Sequence, residues 1–89
     1  MANEKKFNVM AEGEGRLDIL NRISMLYSQR HIAVESLTFA PLGNGESRYS
    51  LCAVTDGNTI RQVVSQMSRI IDIHKVVWSE ASAAQQQWI

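Results

Sequence analysis

The strongest constraint on this chain is that its hydrophobic period switches from two residues to 3.6 and back, and does so twice. Phe7, Val9 and Ala11 alternate with Asn8 and Met10, which predicts a strand over 7–11 with one buried face. Glu12-Gly13-Glu14-Gly15-Arg16 is a turn-rich break. From Leu17 to Arg30 the apolar residues fall at Ile19, Leu20, Ile23, Leu26 and Tyr27, one face of a helix that Asp18 caps or complements electrostatically. A strand over 32–40, a turn at Pro41–Gly45 and a returning strand over 48–55 form a hairpin. After Asp56-Gly57-Asn58, the pair Thr59 and Gln62 matches a capping box. It opens a second helix with Ile60, Val63, Val64, Met67, Ile70 and Ile71 on one face. Ile73, Val76 and Val77 mark a last strand over 72–78.

The order is β-α-β-β-α-β, the split arrangement of ferredoxin-like α+β folds. Right-handed crossovers put both helices on one face of a four-stranded antiparallel sheet and leave the other face open. The chain's 89 residues suit one domain with a thin core. We expect a polar arm over residues 1–5, the domain over 6–78 and a flexible tail over 79–89. In that tail, Trp88 and Ile89 either fray or anchor a partner.

Composition removes several classes of function. Nine Lys and Arg balance nine Asp and Glu, so no basic excess exists to drive binding to nucleic acid or an anionic membrane. No apolar run is long enough to span a bilayer. The N-terminal residues are polar and unlike a signal peptide. A single cysteine, Cys52, makes no internal disulfide, and a cytoplasmic location is expected. Cys52 reads as a small buried hydrophobe in mid-strand, and His31 and His74 as surface or half-buried histidines. These residues give neither a catalytic constellation nor metal-ligand spacing. Gly13 to Asp18 follows a strand and opens a helix, as a dinucleotide loop does. Yet Asp18 occupies the third glycine position, and Glu12 and Glu14 would repel a pyrophosphate. The third strand lacks the aromatic pattern of RNA-binding sheets.

One family does match the residues. Leu20-Asn21-Arg22-Ile23, then Tyr27-Ser28-Gln29-Arg30, then Val34-Glu35-Ser36-Leu37-Thr38-Phe39-Ala40-Pro41 resembles the ACT domain of acetohydroxyacid synthase (acetolactate synthase) small subunits. The stretch from Val64-Ser65-Gln66-Met67 to Ile71-Asp72-Ile73-His74-Lys75-Val76 is similar as well. The resemblance covers roughly residues 5 to 78.

It implies a non-catalytic regulatory subunit in branched-chain amino-acid biosynthesis. Such a subunit activates a large catalytic subunit that itself carries thiamine diphosphate, magnesium and FAD; no cofactor or metal is expected in this chain. It further implies a homodimer made through the ACT domains and an amino-acid effector held between two chains. By position, Gly13, Glu14, Gly15, Arg16, Leu17, Asp18 and Ile19 would form one wall, and Ala33 and Val34 of the neighbouring chain the other. Backbone N–H groups at the helix start would meet the effector's carboxylate, and Glu12, Glu14 or Asp18 its ammonium group. Gly13 and Gly15 either admit the effector or only shape a tight turn.

The chain departs from the family at two points of this site. Asp18 stands where a glycine is usual, in a loop about two residues longer, and Ala33 replaces the turn asparagine. Both changes weaken amino-acid binding, so we expect activation with weak or absent valine feedback. A free-standing ACT amino-acid sensor acting on another protein is the alternative reading.

Overall fold

The structure is a computed structural model and describes residues 4–81. The elements follow the order expected: β1 (Lys5–Glu14), α1 (Leu17–Ser28), β2 (Ala33–Gly43), β3 (Glu46–Thr55), α2 (Gly57–Met67) and β4 (Ile73–Glu80). The four strands make one antiparallel sheet in the order β2-β3-β1-β4, with β1 and β3 at the centre. This is the ferredoxin-like βαββαβ fold.

Alternation decides which face of the sheet the helices cover. Phe7, Val9 and Ala11 of β1 lie opposite Ala53, Leu51 and Tyr49 of β3, and all six are buried. Above them pack Ile19, Ile23 and Tyr27 from α1 and Ile60, Val63 and Met67 from α2. The helical spacing of these six residues gives each helix one apolar face toward the sheet. Burying side chains of this size contributes roughly 1.5–3 kcal/mol each, before the conformational entropy of ordering them is set against it. Phe7 also meets Trp78 of β4, with ring centroids 5.8 Å apart.

Several boundaries differ from expectation, each for a local reason. β1 continues through Gly13 to Glu14, because Gly13 serves close strand packing instead of a turn. A Cβ there would overlap the Asp72 carbonyl oxygen and stand 2.8 Å from Ile73 Cα. β2 runs through Pro41 to Gly43, and the turn is only Asn44-Gly45. Asn44 and Gly45 both have positive φ (57° and 80°), as a two-residue hairpin turn requires. Pro41 is tolerated because β2 is an edge strand. α2 begins at Gly57, where Asp56 Oδ1 accepts the Thr59 N–H at 2.7 Å, so the cap is Asp56 instead of the Thr59–Gln62 box. Ile71, expected in the core, is 76% exposed; the helix has ended at Met67, and Asp72 turns the chain at φ 78°. Cys52 is half-buried on the open sheet face. β4 extends to Glu80, and Ala81 N–H still bonds the Lys6 carbonyl at 2.8 Å. Trp88 and Ile89 lie outside the described residues. Among the described residues, no helix is long and apolar enough to cross a membrane.

Candidate functional site

The loop from β1 to α1 is pinned by backbone before any side chain acts. Glu14 N–H donates to the Asp72 carbonyl and Gly15 N–H to the Gly45 carbonyl, each at 2.9 Å. The loop is thereby tied to the α2–β4 turn on one side and the β2–β3 hairpin on the other. Gly15 is needed for that approach, since a Cβ would overlap the Ser47 hydroxyl. The Tyr49 ring is fully buried beneath the loop. Its hydroxyl donates to the Glu14 carbonyl and accepts the Arg16 N–H at 3.2 Å.

Arg16 is the N-cap residue of α1, with extended φ and ψ and no side-chain cap bond. Its guanidinium instead gathers three carboxylates. Nη1 reaches Glu14 at 2.6 Å and Asp72 at 3.0 Å, while Nε reaches Asp18 at 2.9 Å. Three acids against one base leave the cluster at net −2. The Arg16 guanidinium holds the Asp18 carboxyl below its ordinary value, helped by the backbone N–H groups of Asp18 and Ile19. Asp18 therefore complements the helix start without being its N-cap.

This arrangement has a chemical consequence. The free N–H groups of a helix's first turn are the natural seat for a ligand carboxylate. Here the carboxylate of Asp18 already faces them, and the one cation of the loop is shared among three acids. An incoming carboxylate would enter beside Asp18, into a net negative field.

The remaining candidate residues are scattered. Ile19 belongs to the core and Gly13 packs on β4, whereas Leu17 is 72% exposed. Glu12 points to the open sheet face, where Arg48 Nη2 meets it at 2.7 Å. Ala33 and Val34 begin β2 at the far end of the sheet. Gly13 lies opposite Ser47 and Ala33 opposite Val54. At about 3.3 Å per residue, the two walls stand roughly 23 Å apart along the sheet within one chain. Among the described residues, no group of three His, Cys, Asp or Glu side chains is placed to hold a metal ion.

Two residues that hold the loop, Tyr49 and Asp72, were not singled out from the sequence. The signal for Tyr49 was available: an aromatic with a polar tip on the buried face of a central strand needs a partner for its hydroxyl. Asp72 carried none, because it reaches Arg16 across 56 residues of chain.

Comparison with known proteins bears on the fold and on sequence kinship. The chain is 37% identical over 71 residues to the acetolactate synthase small subunit of Haemophilus influenzae. That match takes in 79% of this chain and 42% of the relative, so the chain spans less than half the length of the curated protein it matches. No protein-family model matches. Among solved structures, the ACT domain of GTP pyrophosphokinase from Chlorobium tepidum superposes with a TM-score of 0.72 at 12% identity, over 86% of this chain and 100% of that one. The acetolactate synthase small subunit of Thermotoga maritima superposes with a TM-score of 0.69 at 20% identity, over 82% of this chain and 46% of that one. The C-terminal domain of MgtC from Mycobacterium tuberculosis gives 0.77 at 14% identity, over 98% of each chain. At these identities the structures speak for the fold, and the sequence match speaks for kinship. The chain has the fold of ACT domains and is similar in sequence to an acetolactate synthase small subunit.

Proposed function

We propose that this chain is a non-catalytic regulatory subunit of acetolactate synthase. It activates the large catalytic subunit and responds weakly or not at all to branched-chain amino acids. The observation that carries the first part is the 37% identity to a small subunit across most of this chain. The second part is supported by the loop, where Asp18 and the shared Arg16 oppose an effector's carboxylate. The cofactors of the reaction, thiamine diphosphate, magnesium and FAD, belong in this reading to the large subunit.

The reading includes a homodimer joined along β2. That strand is an edge and is exposed over nearly its whole length, with Val34, Leu37 and Phe39 open beside α1. An unpaired edge of this kind favours pairing with another strand. Antiparallel pairing of two β2 strands about a two-fold axis would bring Ala33 of a second copy toward the Gly43–Gly45 end of the first. The β1–α1 loop is tied to that end through Gly45, so the two walls separated within one chain would meet between two.

Acetolactate formation by the catalytic subunit, with and without this chain and with and without millimolar valine, tests both parts. Stimulation that valine leaves unchanged is expected. Stimulation abolished by valine would refute the weak-effector reading and keep the regulatory one. No stimulation in any condition would refute the regulatory reading and favour a free-standing sensor.

A further inference from the structure

Net neutrality hides a segregation of charge. Beyond the acids at the helix ends, Asp18, Asp56 and Asp72, the helix layer over residues 19–32 and 57–71 contains Arg22, Arg30, Arg61 and Arg69 and no Asp or Glu. None of these four makes an ion pair among the described residues. The bases of the strands and the β1–α1 loop behave differently. Lys5 pairs with Glu80, Lys6 with Glu35, Arg16 with three acids and Arg48 with Glu12. Only Lys75 is left over, and it stands opposite Glu12 in the register of β1 and β4.

The arginines are ordered as well as unpaired. Arg22 and Arg30 are eight residues apart on α1 and its C-terminal turn, and Arg61 and Arg69 eight apart on α2 and its C-terminal turn. Eight residues of helix advance about 12 Å in a little over two turns, so each pair lies along one row. Arg30 shares a shallow depression of about 320 Å³ with Arg61, Gln62, Ser65, Gln66 and Arg69. Arg22 lies beside Met25, Leu26 and Ile70. The result is four guanidinium groups around a floor of amides, a hydroxyl and exposed apolar side chains.

We propose that this helix layer is the surface that docks on an acidic face of the catalytic subunit; the inference rests on the regulatory reading above. Charge complementarity selects an anionic partner, since Arg22, Arg61 and Arg69 offer bidentate seats for carboxylates and Arg30, whose Nη1 donates to the Leu26 carbonyl at 3.3 Å, adds its charge. The spread of charge selects a surface over a small anion, because Arg22 lies outside the depression that Arg30, Arg61 and Arg69 line, and the basic row runs about 12 Å along each helix. The floor selects protein over nucleic acid. Met25 and Ile71 are exposed apolar anchors, and no exposed aromatic on this layer offers a base a stacking platform.

The test measures binding of the full chain to the purified catalytic subunit by calorimetry at about 50 and about 300 mM NaCl, across which the screening length falls from about 14 to about 6 Å. At low salt, R61E/R69E is expected to weaken binding at least about tenfold, with the gap narrowing at high salt. R61K/R69K should stay within about threefold of wild type and K75E, on the open sheet face, within about twofold. Unchanged thermal unfolding of the variants confirms that they fold. Wild-type affinity in R61E/R69E, or an equal loss in K75E, overturns the docking surface while leaving the regulatory reading intact. Absence of binding by the wild-type chain overturns both. Tighter binding of a uridine oligonucleotide than of the subunit, lost in R61E/R69E, overturns the choice of partner.

Discussion

Arg16 stands at the N-cap of α1 and Arg61 is the fifth residue of α2; both are exposed, yet the molecule uses them in opposite ways. Arg16 is ringed by Glu14, Asp18 and Asp72 and helps tie the β1–α1 loop to the α2–β4 turn. Arg61 and its three companions make no ion pair among the described residues. In the first region charge is consumed by the fold. In the second it is left over, and charge left over on an ordered surface costs little in stability while remaining free for a partner. A formal net charge of zero therefore says little about what such a chain can bind.

The contrast can be broken most severely at Gly13, the strand residue on which the loop's anchorage depends. Gly13→Val places a side chain against the Asp72 and Ile73 backbone, and we expect a loss of about 3 kcal/mol in urea unfolding. Tyr49→Phe removes the hydroxyl that serves both Glu14 and Arg16. It should cost about 1–3 kcal/mol, and hydrogen exchange at Arg16 should speed up. Tyr27→Phe should go the other way. The Tyr27 hydroxyl is buried without a partner, and burial pushes its pKa up; deleting it should leave stability unchanged or raise it by up to about 1 kcal/mol. A rise after Tyr49→Phe, or a large fall after Tyr27→Phe, would contradict the hydrogen bonding described for the two rings.

Smaller effects sharpen the charge comparison itself. Arg16→Gln should lower Tm by roughly 2–4 °C at neutral pH and low salt. The folded-state pKa of Asp18 lies below its usual value of 3.8. The pair's contribution is thus complete above that value and is lost as pH falls through the depressed one. Melting curves of Arg16→Gln and wild type should accordingly converge in strong acid. Removing the unpaired charges with R61Q/R69Q should move Tm by less than about 1 °C at any pH. Equal shifts in the two variants would erase the distinction.

Much of the fold was legible because burial obeys period. Ile19, Ile23 and Tyr27, and Ile60, Val63 and Met67, were placed correctly by helical spacing alone, and Phe7, Val9 and Ala11 by alternation. What was not legible depended on residues far away in sequence. Gly13 looked like a turn because its reason, the closeness of Asp72 and Ile73, lies across the sheet. Ile71 continued a helical pattern that the left-handed Asp72 interrupts. Of the candidate site, the sequence singled out the β1–α1 loop and Asp18 within it. It did not reveal that Arg16 would be shared among three acids, or that Ala33 and Val34 would stand at the opposite end of the sheet.

The sheet order also has a bearing on how the molecule assembles. β1, the first of the six described elements in chain order, lies between β3 and β4, and Phe7 pairs with Glu80 across nearly the whole described chain. The β2–β3 hairpin closes through a two-residue turn and can form early. The first strand must wait for the last one before its outer edge is covered. That makes the topology rich in distant pairings, and such folds cross a later, slower barrier than helical bundles of equal size. A nascent chain lacking β4 would expose Phe7, Val9 and Ala11 along one uncovered edge, so the interval before the final strand arrives is when this protein is most exposed to aggregation.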